Sequence, residues 1–217
     1  MSSTQLSSGV NVLDGNLGGA FSILSGSAGE NPRLGIGRRY GGASGAYSLR
    51  DIGAEGGAVV NVTRSSDLER RDFSAVQIVD GTLEAFIGAG NNGTIKKWYD
   101  QSGNGLYLNA PSDVAREPTL VSNGTLIRDN GKPALSCNTF EYFTIPGTDS
   151  VEAKAFYLVL NVASGEVPID VMGMRSGSQN FMRFQDDDDE QVKWNGLGHV
   201  FGATAEDQQI IVSVDID

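Results

Sequence analysis

The run Asp100-Gln101-Ser102-Gly103-Asn104-Gly105 places oxygen-bearing side chains at alternate positions. Asp100, Ser102 and Asn104 at that spacing can converge on a hard cation, as at the start of a calcium loop. The acid that closes an EF-hand is absent, because residue 111 is Pro. The same six residues also make a plain turn. In that reading Asp100 and Asn104 bond to turn backbone, Trp98 and Tyr99 pack into a core, and Gly103 and Gly105 supply positive φ. Both readings stand at this point, the turn being the simpler. No cofactor is expected apart from Ca2+ as an option. The acidic run Asp186-Asp187-Asp188-Asp189-Glu190 is read as a solvated loop tip, since contiguous acids repel; it is the second place for a divalent ion.

Catalytic constellations are poorly supplied. His199 is the only histidine, and it lies in Gly196-Leu197-Gly198-His199-Val200 with no nucleophile-elbow pattern nearby. It is read as a loop or strand-edge residue. Gly88-Ala89-Gly90-Asn91-Asn92-Gly93 matches G-x-G-x-x-G, but a helical segment precedes it and a strand follows. A dinucleotide site needs the reverse order, so this is a turn. Aromatic rings that could stack on sugar faces are Tyr107, Tyr142, Phe143, Trp194 and Phe201, with Trp194, Tyr107 and Tyr142 taken as the carbohydrate-binding candidates. Trp194-Asn195-Gly196 reads as a turn that displays its aromatic. The Arg64/Asp67 pair is read as fixing a turn.

Charge narrows the partners. The chain carries 27 acidic and 16 basic residues, a net charge of −11. Its basic residues are scattered, so neither nucleic acid nor an anionic membrane is an expected partner. One cysteine, Cys137, excludes an intrachain disulfide and a cysteine-based zinc site. The N-terminus lacks a basic start followed by an apolar run, so no signal peptide is read, and no segment has the apolar length of a membrane span. Three Asn-x-Thr sequons, at Asn61, Asn92 and Asn123, are then chance matches in a chain folded in a reducing cytosol or released by lysis.

Positioning falls to short elements. Glycine is frequent, at 29 of 217 residues, which favours turns over long helices. Residues 1–40 are Ser- and Gly-rich with spaced apolar residues Val10, Val12, Leu13, Leu17, Phe21, Ile23 and Leu24. They are too apolar for a free linker and too glycine-rich for their own core, so they are read as an assembly arm. From residue 41 a β domain is expected. Ala46–Arg50 reads as a helical turn or two ended by Gly53. Strands are expected at 58–64, 94–99, 118–121, 125–128, 133–136, 141–145, 155–162, 169–174, 181–185, 191–194 and 209–215, with a short helix at Thr82–Ile87 between Asp80 and Gly88. The apolar run 155–162 suits a strand buried on both faces. The strong final strand has nothing after it to close a sheet, so the domain 41–217 is expected to be truncated at its C-terminal end.

The block Trp98-Tyr99-Asp100-Gln101-Ser102-Gly103-Asn104-Gly105 resembles the W-Y-D-Q-S-G-N-G motif of two related groups: the catalytic domain of arabinofuranosidase B, and concanavalin/laminin-G-like proteins of tailed bacteriophages and some bacteria. Ala46-Tyr47-Ser48-Leu49-Arg50, Val62-Thr63-Arg64-Ser65-Ser66-Asp67 and Gly131-Lys132-Pro133-Ala134-Leu135 resemble further blocks of that family, in the same order. The resemblance covers residues 46–136. It implies a mostly β chain: an antiparallel concanavalin/laminin-G-like β-sandwich, or jelly roll, after an N-terminal extended arm. It implies a virion protein made in a bacterial cytoplasm, such as a tail fibre, tail tip or capsid appendage, serving assembly and host-surface glycan recognition. Its expected partners are other virion proteins, copies of itself (a trimer by that analogy) and a host glycan. A free-standing carbohydrate-binding module and an arabinofuranosidase-type hydrolase are the alternatives. The hydrolase's catalytic acids and adjacent Cys-Cys pair find no match here, so the chain is expected not to be an enzyme.

Overall fold

The computed structural model describes residues 43–53, 57–138, 140–145, 155–161, 169–173, 181–185, 191–194, 197–200 and 209–215. The chain divides into two compact units, one spanning 17–153 and the other taking its described residues from 154–217. The arm residues Val10, Val12, Leu13, Leu17, Phe21 and Ile23 lie outside the described residues, as does the acidic run 186–190.

The first unit is built on an antiparallel sheet. β1 (Ala58–Arg64) lies between β2 (Arg70–Ser74) and β3 (Gly93–Trp98); β5 (Thr119–Ser122) and β6 (Thr125–Leu126) extend the β3 side, and β4 (Leu108–Asn109) pairs with the far end of β3. Alternation in β1 drives the layering. Val60 and Val62 are fully buried with Phe73 of β2 and Ile95 of β3, while Asn61 and Thr63 take the opposite face. Two short helices cap the apolar side. α1 (Ala75–Val79) buries Ile78, and α2 (Thr82–Ile87) buries Leu83, Phe86 and Ile87. Phe73 and Phe86 meet at 5.3 Å between ring centres, a tilted pair inside the core. A small hairpin, β7 (Arg128–Asp129) with β8 (Lys132–Pro133), leads back to the sheet where Ser136 bridges Thr119.

Several expected elements change on inspection. Ala46–Arg50 contains no helix. Its backbone groups bond across the chain to residues 100–101, so they are not free for i→i−4 bonds. The expected strands at 133–136 and 141–145 contract to β8 and to isolated bridges at Ser136 and Thr144. Helix α2 stands as expected, with Gly88 at its end. Its N-cap is Gly81, and the Asp80 carboxylate accepts from the Thr82 N–H one step later.

In the second unit, β9 (Ala155–Asn161) pairs with β14 (Gln209–Asp215) over seven residues. A separate antiparallel meander runs β10 (Ile169–Gly173), β11 (Phe181–Gln185), β12 (Gln191–Trp194), β13 (Leu197–Val200). β13, which carries His199, is the end strand of this described sheet, in keeping with the loop or strand-edge position read for that residue. β9 is not buried on both faces: Tyr157 is 75% and Val159 64% exposed, and Ile211, opposite Val159, is 48% exposed. An all-apolar strand reports β propensity as much as burial, and here the propensity is what was read. The described chain is mostly β, with antiparallel sheets.

Candidate functional site

The six-residue turn is a clamp. Asp100 accepts through Oδ1 from the N–H groups of Ala46 and Ser102, both at 2.8 Å, and through Oδ2 from Ser102 Oγ at 2.8 Å and Leu106 N at 3.2 Å. Gln101 faces the other way along the same segment. Its Oε1 accepts from Ile52 N and its Nε2 donates to the Ser48 carbonyl, each at 2.8 Å, while its own N–H donates to Ala46 O. Asn104 donates from Nδ2 to the Ala43 carbonyl at 2.6 Å, and the Tyr47 hydroxyl donates to Leu106 O. Gly103 and Gly105 hold φ of 95° and 72°, conformations that a side chain resists. Burial pushes the Asp100 carboxyl up, yet the four donors outweigh it and hold it below the ordinary value. The three residues considered for calcium thus converge on one another and on the 43–52 backbone. A cation there would have to displace four donors from Asp100. Among the described residues no group of three or more His, Cys, Asp or Glu is placed to hold a metal ion.

The polar face of the sheet carries two further clusters, made adjacent by a β-bulge. β1 and β3 pair Asn61 with Lys97 but Val62 with Ile95, so Lys96 is the extra residue. Two lysines that are neighbours in sequence thereby serve different clusters. Lys96 joins the first, round Glu117. That carboxylate is fully buried, accepts from Thr94 Oγ1 at 2.7 Å and Arg70 Nη2 at 3.3 Å, and has Lys96 Nζ at 3.9 Å. Lys96 also donates to the Ala110 and Pro111 carbonyls, and Arg70 Nε donates to the buried Thr63 hydroxyl. Every acceptor oxygen of Glu117 is thus met, as a buried charge requires. This cluster pins the segment before β5 onto the sheet.

Lys97 joins the second cluster. Its ammonium stands 4.2 Å from the centre of the Tyr107 ring and 5.4 Å from that of Tyr99. The Tyr99 hydroxyl donates to Asp72 Oδ1 at 3.0 Å, and Asn61 Nδ2 donates to the same oxygen at 2.6 Å. Burial first, then the bond to Asp72, pushes the Tyr99 phenol up to about 12. Asp72, Asn61, Lys97 and Asn109 are successive cross-strand partners on β2, β1, β3 and β4. They form one polar row with the two tyrosines alongside.

The sequence candidates separate accordingly. Tyr107 belongs to this row. Tyr142 is half-buried beside Arg116, whose carbonyl accepts from its N–H. Trp194 is the last residue of β12 in the other unit, opposite Met182 and Leu197, and the Asn195-Gly196 part of its expected turn lies outside the described residues; His199 lies in β13 opposite Val192. Arg64 grips Asp67 through two nitrogens, at 2.9 and 2.6 Å, and fixes the β1–β2 turn as expected. Tyr99, expected in the core with Trp98, instead lies on the polar face with its hydroxyl on Asp72, while Trp98 does pack against the core. Asn61 was read only as a chance sequon, and Asp72 and Lys97 were not singled out from sequence. A polar Asn between two buried valines was the available signal; the bulge that brings Lys97 to its side leaves no trace in the residue pattern.

Compared with known proteins, the chain matches no protein-family model, no curated protein and no solved structure.

Proposed function

We propose that this chain is a non-enzymatic, particle-borne recognition module: a bacteriophage virion component with a concanavalin/laminin-G-like β-sandwich domain, anchored through its first forty residues and presenting a sheet face to host-surface glycans. What supports the reading is that the sequence blocks on which the resemblance rests are the interlocking points of the first unit. The D-Q-S-G-N run holds the A-Y-S-L-R segment through bonds spanning about fifty residues of sequence, such as Ala46 N to Asp100 Oδ1. The V-T-R-S-S-D block closes the β1–β2 turn, where Leu68 N donates to the Arg64 carbonyl at 2.9 Å. The G-K-P-A-L block forms the β7–β8 hairpin that returns to β5. A residue set that specifies these contacts specifies the antiparallel β unit they hold, which is consistent with the mostly β chain that the resemblance implies. The arm residues Val10, Val12, Leu13, Leu17, Phe21 and Ile23 would find their shelter against neighbouring virion proteins or a second copy of the chain.

The test is incorporation. Particles are produced with the full chain or with residues 1–40 removed, and each purified preparation is assayed for the protein by mass spectrometry. Loss of the shortened chain from particles is the expected result. Equal incorporation of both forms would remove the assembly role.

A further inference from the structure

We propose that Tyr99, Tyr107, Lys97, Asp72, Asn61 and Asn109 form a glycan-binding row that takes an oligosaccharide along the polar face of β2, β1, β3 and β4. This rests on the recognition half of the reading above and locates it.

Several polar groups of this row keep unused bonding capacity among the described residues. Asn61 and Tyr99 both donate to Oδ1 of Asp72, so the carboxylate's orientation is set while no described group donates to Oδ2. The amide of Asn61 is oriented by the same bond, which leaves its oxygen as an open acceptor. The Lys97 ammonium touches ring faces and has no hydrogen bond or ion pair among the described residues, so its three donors stay available. The result is a held acceptor pair, a held donor and two phenol rings. A pyranose presents the matching set: hydroxyls that donate to Asp72 Oδ2 and Asn61 Oδ1, ring and hydroxyl oxygens that accept from Lys97, and a C–H face that packs on a phenol.

Geometry favours a chain of sugars over one. The partners Asp72, Asn61, Lys97 and Asn109 sit on four adjacent strands, so the row extends across three strand spacings, about 14 Å. That length exceeds a single ring. Preorganisation also favours binding, because the polar groups are already fixed by each other and lose little freedom on contact. Polyanionic nucleic acid is disfavoured, since the chain's net charge is −11 and Asp72 stands in the row.

The experiment uses the full 217-residue chain on a printed array of bacterial-surface and plant oligosaccharides, with titration of the best-bound oligosaccharide by calorimetry. Two variants are compared, Tyr107→Ala and Asp72→Asn, each checked by circular dichroism for an unchanged fold. Asp72→Asn is close in shape and guards against a folding artefact at Tyr107. Selective binding by the parent chain, weakened at least about tenfold in each variant, is expected. No binding to any oligosaccharide on the array, or an affinity equal to the parent chain's in either folded variant, would overturn the proposal. Neither result alters particle incorporation, so the two tests fail independently.

Discussion

Asp100 joins two distant stretches of the chain through one side chain. Its two oxygens collect four donors from residues 46, 102 and 106, and so tie a segment with no helix or strand of its own to the end of β3. Replacing it with Ala leaves the Ala46 and Leu106 N–H groups to find new partners. Asp100→Ala should cost about 3 kcal/mol in urea unfolding, with faster amide exchange at Ala46 and Ile52. A cost below about 1 kcal/mol would mean that the clamp is ornamental. Acidity and alkalinity probe the same neighbourhood. Asp100 is held below its ordinary 3.8, so its contribution is present above that value and fades as pH falls through the lowered one. Tyr47 and Tyr99 are each pushed up to about 12, burial being the larger cause in both. Their contribution is full below the ordinary 10.0 and is lost as pH rises through about 12. Melting temperature should therefore drop at both extremes. Phenol absorbance titration should show two tyrosines ionising late; six ordinary tyrosines would contradict this.

At the scale of elements, legibility followed the strength of local patterning. β1 was readable because Val59, Val60 and Val62 combine β-branching with alternation, and α2 because a turn precedes it and Gly88 follows. Helix α1 was missed although its start carries a capping box: Ser74 accepts from Gln77 N, and the Gln77 side chain accepts from Ser74 N at 2.9 Å. Ser-x-x-Gln was the signal, hidden by a helix too short to show a period. The 46–50 segment was misread for the opposite reason. Its residues suit a helix locally, and a contact some fifty residues away overrides them. The hairpin β5–β6 offers a sharp test. Gly124 has φ of 81°, and a Cβ there would lie 2.9 Å from Ala89 Cα and 3.0 Å from the Gly88 carbonyl. Backbone on both counts cannot yield cheaply, so Gly124→Ala should destabilise by about 2 kcal/mol or more, read from the shift in denaturation midpoint. A neutral substitution would show that the hairpin does not rest against the end of α2.

Over the whole molecule, a mostly β chain was legible in the sequence, but the proposed row was not. The W-Y-D-Q-S-G-N-G block drew attention to its oxygen ligands, whereas its Tyr99, with Lys97 just ahead of the block, belongs to the polar row. Sites of this kind are assembled across strands. Asp72, Asn61, Lys97 and Asn109 come from four strands, and their adjacency depends on register and one bulge. Both are consequences of packing that no single-segment pattern encodes. Two proposed roles meet in this chain, an anchored start and a polar sheet face open to a ligand. An image of the native particle at side-chain detail tests both in one measurement. The expected result is residues 1–40 lodged against other virion protein, with Tyr99, Tyr107 and Asp72 facing outward to solvent. A first segment touching nothing, or that row buried against the particle body, would contradict it.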